Sequence, residues 1–136
     1  MSAEFVDTNV LVYAHDSGAG RKHDVATDLV ARLNLESAGA LSTQVLAELY
    51  SVATRKLRFP SEEAQEIIFD FGGWLLHRPT HASLLHAAAI QRRFQINWWD
   101  ALIVNSALEL GCSTLWTEDL KHGQIFTTLT ARNPFA

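Results

Sequence analysis

A chain of 136 residues with 48% apolar and 19% charged side chains is long enough to bury a core and too apolar to be disordered. One cysteine excludes an intramolecular disulfide framework. A formal net charge of −4 argues weakly against nucleic acid as a partner, although carboxylates gathered around a divalent metal reverse the sign locally.

The opening Met1-Ser2-Ala3-Glu4-Phe5 lacks the basic and long apolar regions of a signal peptide, and no apolar run approaches the ~20 residues that span a bilayer. A single domain over 1–136, cytoplasmic and without a membrane partner, is therefore expected. The first element is a short strand at Phe5-Val6 that ends in Asp7. That places a carboxylate at the C-terminal edge of a sheet, where open α/β folds keep their chemistry. Thr8 or Asn9 is a good cap for the short helical turn over 10–14, and 15–21, with Gly18 and Gly20, reads as a loop. Ala26, Leu29, Val30 and Leu33 recur at helical spacing over 23–37, with Gly39 placed as the C-cap.

Ala40-Leu41-Ser42 is the second expected strand, and Ser42 or Thr43 caps a helix over 44–56. Its apolar stripe is Val45, Leu49 and Val52, and Glu48 falls inside that stripe. A carboxylate turned towards a core has to be paired, neutralised or bound to a metal. Ser61 is placed to cap the next helix, with Glu62 and Glu63 in its first turn, and the helix runs to Gly72-Gly73. Residues 74–77 read as a short strand or extended connection closed by Pro79. Thr80 starts a helix to about Phe94, whose Ala87-Ala88-Ala89 run implies close packing on a neighbour.

Asn97 caps a helix that is apolar almost all round as far as Leu110, with Asp100 in its first turn, and Gly111 ends it. Residues 113–116 form the third expected strand. Thr117-Glu118-Asp119 then repeats the opening pattern of an apolar strand followed by a Thr beside an acid, with Glu118 expected to face solvent. Lys121-His122-Gly123 is a turn, and Ile125-Phe126 with Thr128-Leu129 makes a last short strand before the Pro134-Phe135 tail.

Strands alternating with helices imply βαβ units and a parallel sheet, with strand ends on one edge. Asp7, Glu48, Asp100 and Asp119 are expected to meet there. Four crowded carboxylates raise one another's pKa unless a cation offsets them, and a hard, oxygen-preferring ion such as Mg²⁺ or Mn²⁺ is the natural counter-charge. Zinc is disfavoured: His77 and His81 are the one histidine pair at metal spacing, and Pro79 lies between them. Carboxylate-held Mg²⁺ points to phosphodiester hydrolysis. The basic groups Arg21-Lys22, Arg55-Lys56 with Arg58, and Arg92-Arg93 either position a polynucleotide backbone or are solvated helix ends.

Five stretches occur in order along the chain: Phe5-Val6-Asp7-Thr8-Asn9, Gln44-Val45-Leu46-Ala47-Glu48, Trp99-Asp100-Ala101-Leu102-Ile103, Leu115-Trp116-Thr117-Glu118-Asp119-Leu120 and Asn133-Pro134-Phe135. Together they resemble a PIN-domain protein, in particular the toxin ribonucleases of the VapC type. The resemblance implies a three-layer α/β/α fold around a parallel sheet of four or five strands. It implies Mg²⁺- or Mn²⁺-dependent RNA cleavage, with Asp7, Glu48, Asp100 and Asp119 as the catalytic, metal-binding acids. Thr8, Asn9 and Thr117 match positions that orient those acids or the metal's waters. The resemblance further implies a homodimer and a cognate antitoxin that enters the groove. Trp74, Phe94, Trp98 and Trp99 are then either such contacts or packing.

Asn105-Ser106 departs from the small apolar residues usual at that place, and is expected to sit near the groove or face solvent. Two other readings stand beside this one. A catalytically weak PIN-like module that binds nucleic acid or a partner is opposed by the four intact acids. An aspartyl-phosphate enzyme is opposed by Asn9, where the phosphatase pattern needs a second Asp, and by the lack of an acid adjoining Asp7, which a receiver domain needs.

Overall fold

The computed structural model describes residues 2–136. In chain order the strands are β1 (Glu4–Val6), β2 (Gly39–Ser42), β3 (Leu75–His77), β4 (Thr114–Trp116), β5 (Ile125–Phe126) and β6 (Leu129–Arg132). The helices are α1 (Thr8–His15), α2 (Arg21–Glu36), α3 (Thr43–Arg55), α4 (Ser61–Phe71), α5 (His81–Phe94) and α6 (Trp98–Glu109).

The strands form one sheet in the order β3-β2-β1-β4-β6-β5. Five of them run parallel, in line with the expected four or five, and the two-residue β5 adds an antiparallel edge. From β1 the chain steps outwards through β2 to β3, carrying α1 to α4, and then returns past β1 to β4, carrying α5 and α6. Right-handed crossovers put these two helix groups on opposite faces, giving three layers. The helix contacts follow that division: α1 packs on α2 and α3, α3 on α4, and α5 on α6.

A parallel sheet covered on both faces needs apolar strands, and Phe5, Val6, Ala40, Leu41 and Leu115 are all fully buried. Leu11, Leu33, Leu49 and Val104 meet them from the helices. A second, smaller cluster of Ala87, Ala101 and Leu102 joins α5 to α6, as the alanine run implied. None of the helices among the described residues is long and apolar enough to cross a membrane.

Local signals differ from expectation in several places. Asp7, and not Thr8 or Asn9, is the N-cap of α1. α2 starts at Arg21 and ends through Ser37 in the left-handed conformation (φ 52°), so Gly39 is not its cap. Gly39 instead opens β2, at a place where a Cβ would lie 2.4 Å from the Trp74 ring. Pro60 occupies the N-cap of α4, which has no side-chain cap, and Ser61 is the first helical residue. The last strand is two strands, turned at Thr127 (φ 60°) so that β6 pairs with β4.

Candidate metal centre

The strand order reverses between β1 and β4, and open α/β sheets form their crevice at the carboxyl ends of such a pair. Asp7 follows β1 directly, and its backbone N–H bonds to Trp116 O at the end of β4 (2.9 Å). The Asp7 side chain is 6% exposed. Its Oδ1 accepts from the Thr8 backbone N–H (2.7 Å) and its Oδ2 from the Thr117 hydroxyl (2.8 Å). Thr117 Oγ1 in turn accepts from the Asp119 backbone N–H (3.1 Å), so one buried hydroxyl sets two acids in place.

Asp119 Oδ2 accepts from Asn9 Nδ2 (2.9 Å). Asp100 sits in the first turn of α6, where Asn97 Oδ1 accepts its backbone N–H (2.8 Å) and Asn97 Nδ2 donates to its Oδ2 (2.7 Å). Asp7, Asp100 and Asp119 can each offer an oxygen such that all three lie within 4.8 Å of one another. Glu48 is not one of this trio. It projects from α3 into the same groove, where Thr8 Oγ1 donates to its Oε1 (2.6 Å).

Electrostatics sharpen the picture. Burial pushes the Asp7 carboxyl up to about 7 against the hydrogen bonds it accepts, and the charges of Asp119 and Asp100 add to the rise. Asp100 is raised by burial and then by Asp119, and Asp119 by burial and then by Glu118. Three carboxyls whose proton affinity is raised by burial and by one another's charge are a site that a cation would relieve. Asn9 Oδ1 is also buried with no hydrogen-bond partner among the described residues. An all-oxygen donor set with an unused amide oxygen beside it fits a hard divalent cation. The groove around it is about 890 Å³, with apolar walls from Val12, Val52, Leu57 and Ile103.

Other expectations fare differently. Asn105 and Ser106 face neither groove nor solvent. Both are buried: Asn105 Nδ2 donates to Ser83 O and Glu109, and Ser106 Oγ bonds His77 Nδ1 (2.8 Å). His77 also bonds Glu109, so it forms no metal pair with His81. Glu118 is not simply solvated. It takes hydrogen bonds from Tyr13 OH (2.6 Å) and Lys22 Nζ (2.8 Å), and Lys22 lies 4.9 Å from the Tyr13 ring centroid. This clamp fixes the loop carrying Asp119, and no spacing in the sequence announces it. Trp74 packs edge-on against Phe71, Phe94 packs against Phe126, and Trp98 packs on the α5–α6 cluster. Trp99 alone of these four stands in the groove.

The PIN domain model matches residues 5–125, which takes in the two strand-end acids, Glu48 and Asp100. The chain belongs to the PIN-domain family. PIN domains generally use divalent metal ions, and the three-carboxylate cluster suits that use. No curated protein matches the sequence. Among solved structures, a toxin–antitoxin complex from Klebsiella pneumoniae is similar in fold. It has a TM-score of 0.69 at 17% identity, over 97% of this chain and 98% of that one. DNA-bound VapBC from Salmonella typhimurium gives 0.69 at 17% identity, over 98% and 99%. The sarcin-ricin loop cleaving toxin VapC20 of Mycobacterium tuberculosis gives 0.66 at 19% identity, over 83% and 87%.

Proposed function

We propose that this PIN domain is a metal-dependent endoribonuclease of the VapC type, the toxin of a toxin–antitoxin pair. The observation that carries this reading is the meeting of Asp7, Asp100 and Asp119 within 4.8 Å at the sheet's switch point, at the foot of an open groove. Asp7, Asp100 and Asp119 would hold Mg²⁺ or Mn²⁺, which supplies an activated water and counter-charge for a phosphodiester. Glu48, oriented by Thr8, is the fourth acid. It leaves its second oxygen to orient a water or accept its proton. Thr8, Asn9 and Thr117 position the acids. Hydrolysis adds water to phosphorus and breaks one P–O ester bond, leaving a hydroxyl on one fragment and a terminal phosphate on the other.

The toxin role is supported by the fold shared with VapBC and VapC proteins over nearly the whole chain. On that reading a cognate antitoxin blocks the groove, and the protein acts in the cytoplasm as a single-domain subunit of a homodimer.

The deciding experiment compares the parent and Asp7→Asn on RNA with Mg²⁺, with Mn²⁺ and with a chelator. The parent is expected to cleave only with metal. Asp7→Asn is expected to lose cleavage while still melting cooperatively. Cleavage that survives chelation, or an Asp7→Asn variant as active as the parent, would overturn the assignment.

A further inference from the structure

Four tryptophans divide into three with structural work and one without. Trp74 Nε1 donates to Asn34 and Trp116 Nε1 to Glu4, both across the fold. Trp98 packs against Ala87, Ala101 and Leu102. Trp99 is 64% exposed and lines the groove that holds Asp7, Glu48, Asp100 and Asp119. It also adjoins Asp100, within the helical turn that Asn97 caps. Trp98 packs on the α5–α6 cluster, so Trp99 and Asp100 share a stretch of backbone held by that packing and by the Asn97 cap.

The groove's charge limits what else can hold a polynucleotide. Among the described residues that line it, Asp7, Asp16, Glu48, Asp100 and Asp119 face a single cation, Lys56. Away from the phosphate that the metal itself would hold, pairing phosphates with Lys and Arg, the usual source of affinity, has only Lys56 to draw on among these lining residues. A contact that does not depend on charge is needed, and an aromatic face that stacks a base supplies one.

We propose that Trp99 is the stacking platform for an unpaired nucleobase flanking the phosphodiester at the carboxylate cluster. This rests on the ribonuclease reading and deepens it. Trp99 and Asp100 both line the groove, so a nucleotide whose phosphate is served by Asp100 lies in the groove that the indole lines. A base inside a duplex is already stacked and has to be extruded at a cost of a few kcal/mol. Single strands present it freely.

The test uses the intact chain with Mn²⁺ and an unstructured oligoribonucleotide. Cleavage kinetics are measured for the parent, Trp99→Ala and Trp99→Phe. Stabilisation of each protein by Mn²⁺ is followed by thermal melting. Trp99→Ala is expected to raise KM for the single strand about tenfold or more, with kcat little changed, and Trp99→Phe to restore most of it. The Mn²⁺ stabilisation should be the same in all three, which shows that fold and carboxylates are intact.

The proposal is overturned if KM in Trp99→Ala stays near the parent's, in which case the ring serves a protein contact. It is also overturned if Trp99→Phe is no better than Trp99→Ala. A parent that does not cleave the oligoribonucleotide with Mn²⁺ overturns the ribonuclease reading itself, which separates the two failures.

Discussion

Thr8 Oγ1 donates a 2.6 Å hydrogen bond to Glu48 Oε1, joining the residue after Asp7 to a helix forty positions further along the chain. The bond fixes Glu48 in an otherwise apolar stripe formed by Val45, Leu49 and Ala53. It also couples the fourth acid to the turn that carries the first. Groups that orient metal-site acids are commonly worth about 10- to 100-fold in activity or metal affinity. Thr8→Val is close in shape and removes only the hydroxyl. It is expected to lower metal-dependent cleavage by about that factor while costing roughly 1 kcal/mol or less of stability. Cleavage rates beside urea midpoints would show it. Thr8→Ser, which keeps the donor, should recover most of the rate.

The Asp7 carboxyl, pushed up to about 7 from an unfolded value near 3.8, makes stability depend on pH. Between these values the folded state holds a proton that the unfolded state has lost. Without metal, stability should therefore fall as pH rises from about 4 to 7, by at most about 1.4 kcal/mol per pH unit from this group. Asp7→Asn should remove that decline and melt higher than the parent at pH 8 without metal. With Mn²⁺ the order should reverse, because the ion stabilises only a chain that binds it. Below pH 7 the ion has to displace the proton, so its apparent affinity should weaken by up to about tenfold per pH unit. Melting curves across pH, with and without Mn²⁺, check each of these signs.

Gly39 and Trp74 make a purely structural test. A Cβ on residue 39 would meet three indole atoms at 2.4 to 2.6 Å. Trp74 cannot yield freely, since its Nε1 donates to Asn34 (2.7 Å) and its ring packs edge-on against Phe71. Gly39→Ala should cost about 1–3 kcal/mol, the usual range for overpacking. In an Asn34→Ala background the same change should cost less, because the indole is then freer to move. Urea midpoints of the four proteins in the cycle give the answer, and the Mn²⁺ response should be unaffected.

How far the sequence reveals the site depends on the range of the forces that place each residue. Glu48 is legible because helical spacing alone puts it among Val45 and Leu49. Asp100 is legible because Asn97 three residues before it is a capping signal, and the cap is present. Asp7 and Asp119 are legible as acids ending apolar strands. Thr8, Asn9 and Thr117 stand out only through the PIN-domain resemblance, and which acid each one holds is not legible, because pairs such as Asn9 with Asp119 form across the fold. Asp7 takes Thr117 from 110 positions away, and Glu118 takes Tyr13 from 105. The division of the expected last strand into β5 and β6 escapes for another reason. Strands of two and four residues carry too little alternation to separate from a turn, and their pairing is set by β4. Asn105 and Ser106 look like surface or groove residues only while Glu109 and His77 are unseen.

Glu109 is the acceptor at the centre of that last network, which ties β3, α5 and α6 together. It takes hydrogen bonds from His77, Ser83 Oγ (3.1 Å), Asn105 Nδ2 (3.1 Å) and His86 Nδ1 (3.2 Å). Burial alone would raise its pKa, but the bonds from His86, Asn105, His77 and Ser83 outweigh this and hold it below the usual carboxylate value. Glu109→Ala strands donors on the buried Ser83, Asn105 and His77, so a loss of about 1–3 kcal/mol is expected. Glu109→Gln keeps one acceptor and should lose less. A group whose folded pKa is depressed contributes stability above its unfolded value, here near 4.5, and loses that contribution as pH falls through the folded value. The gap between parent and Glu109→Gln should therefore be widest above about pH 5 and close in acid. Glu109 lies outside the groove lining, so the Mn²⁺ response of both variants should match the parent's. A Mn²⁺ response lost in Glu109→Gln at unchanged stability would show that the network serves the metal centre and not the packing of α5 on α6.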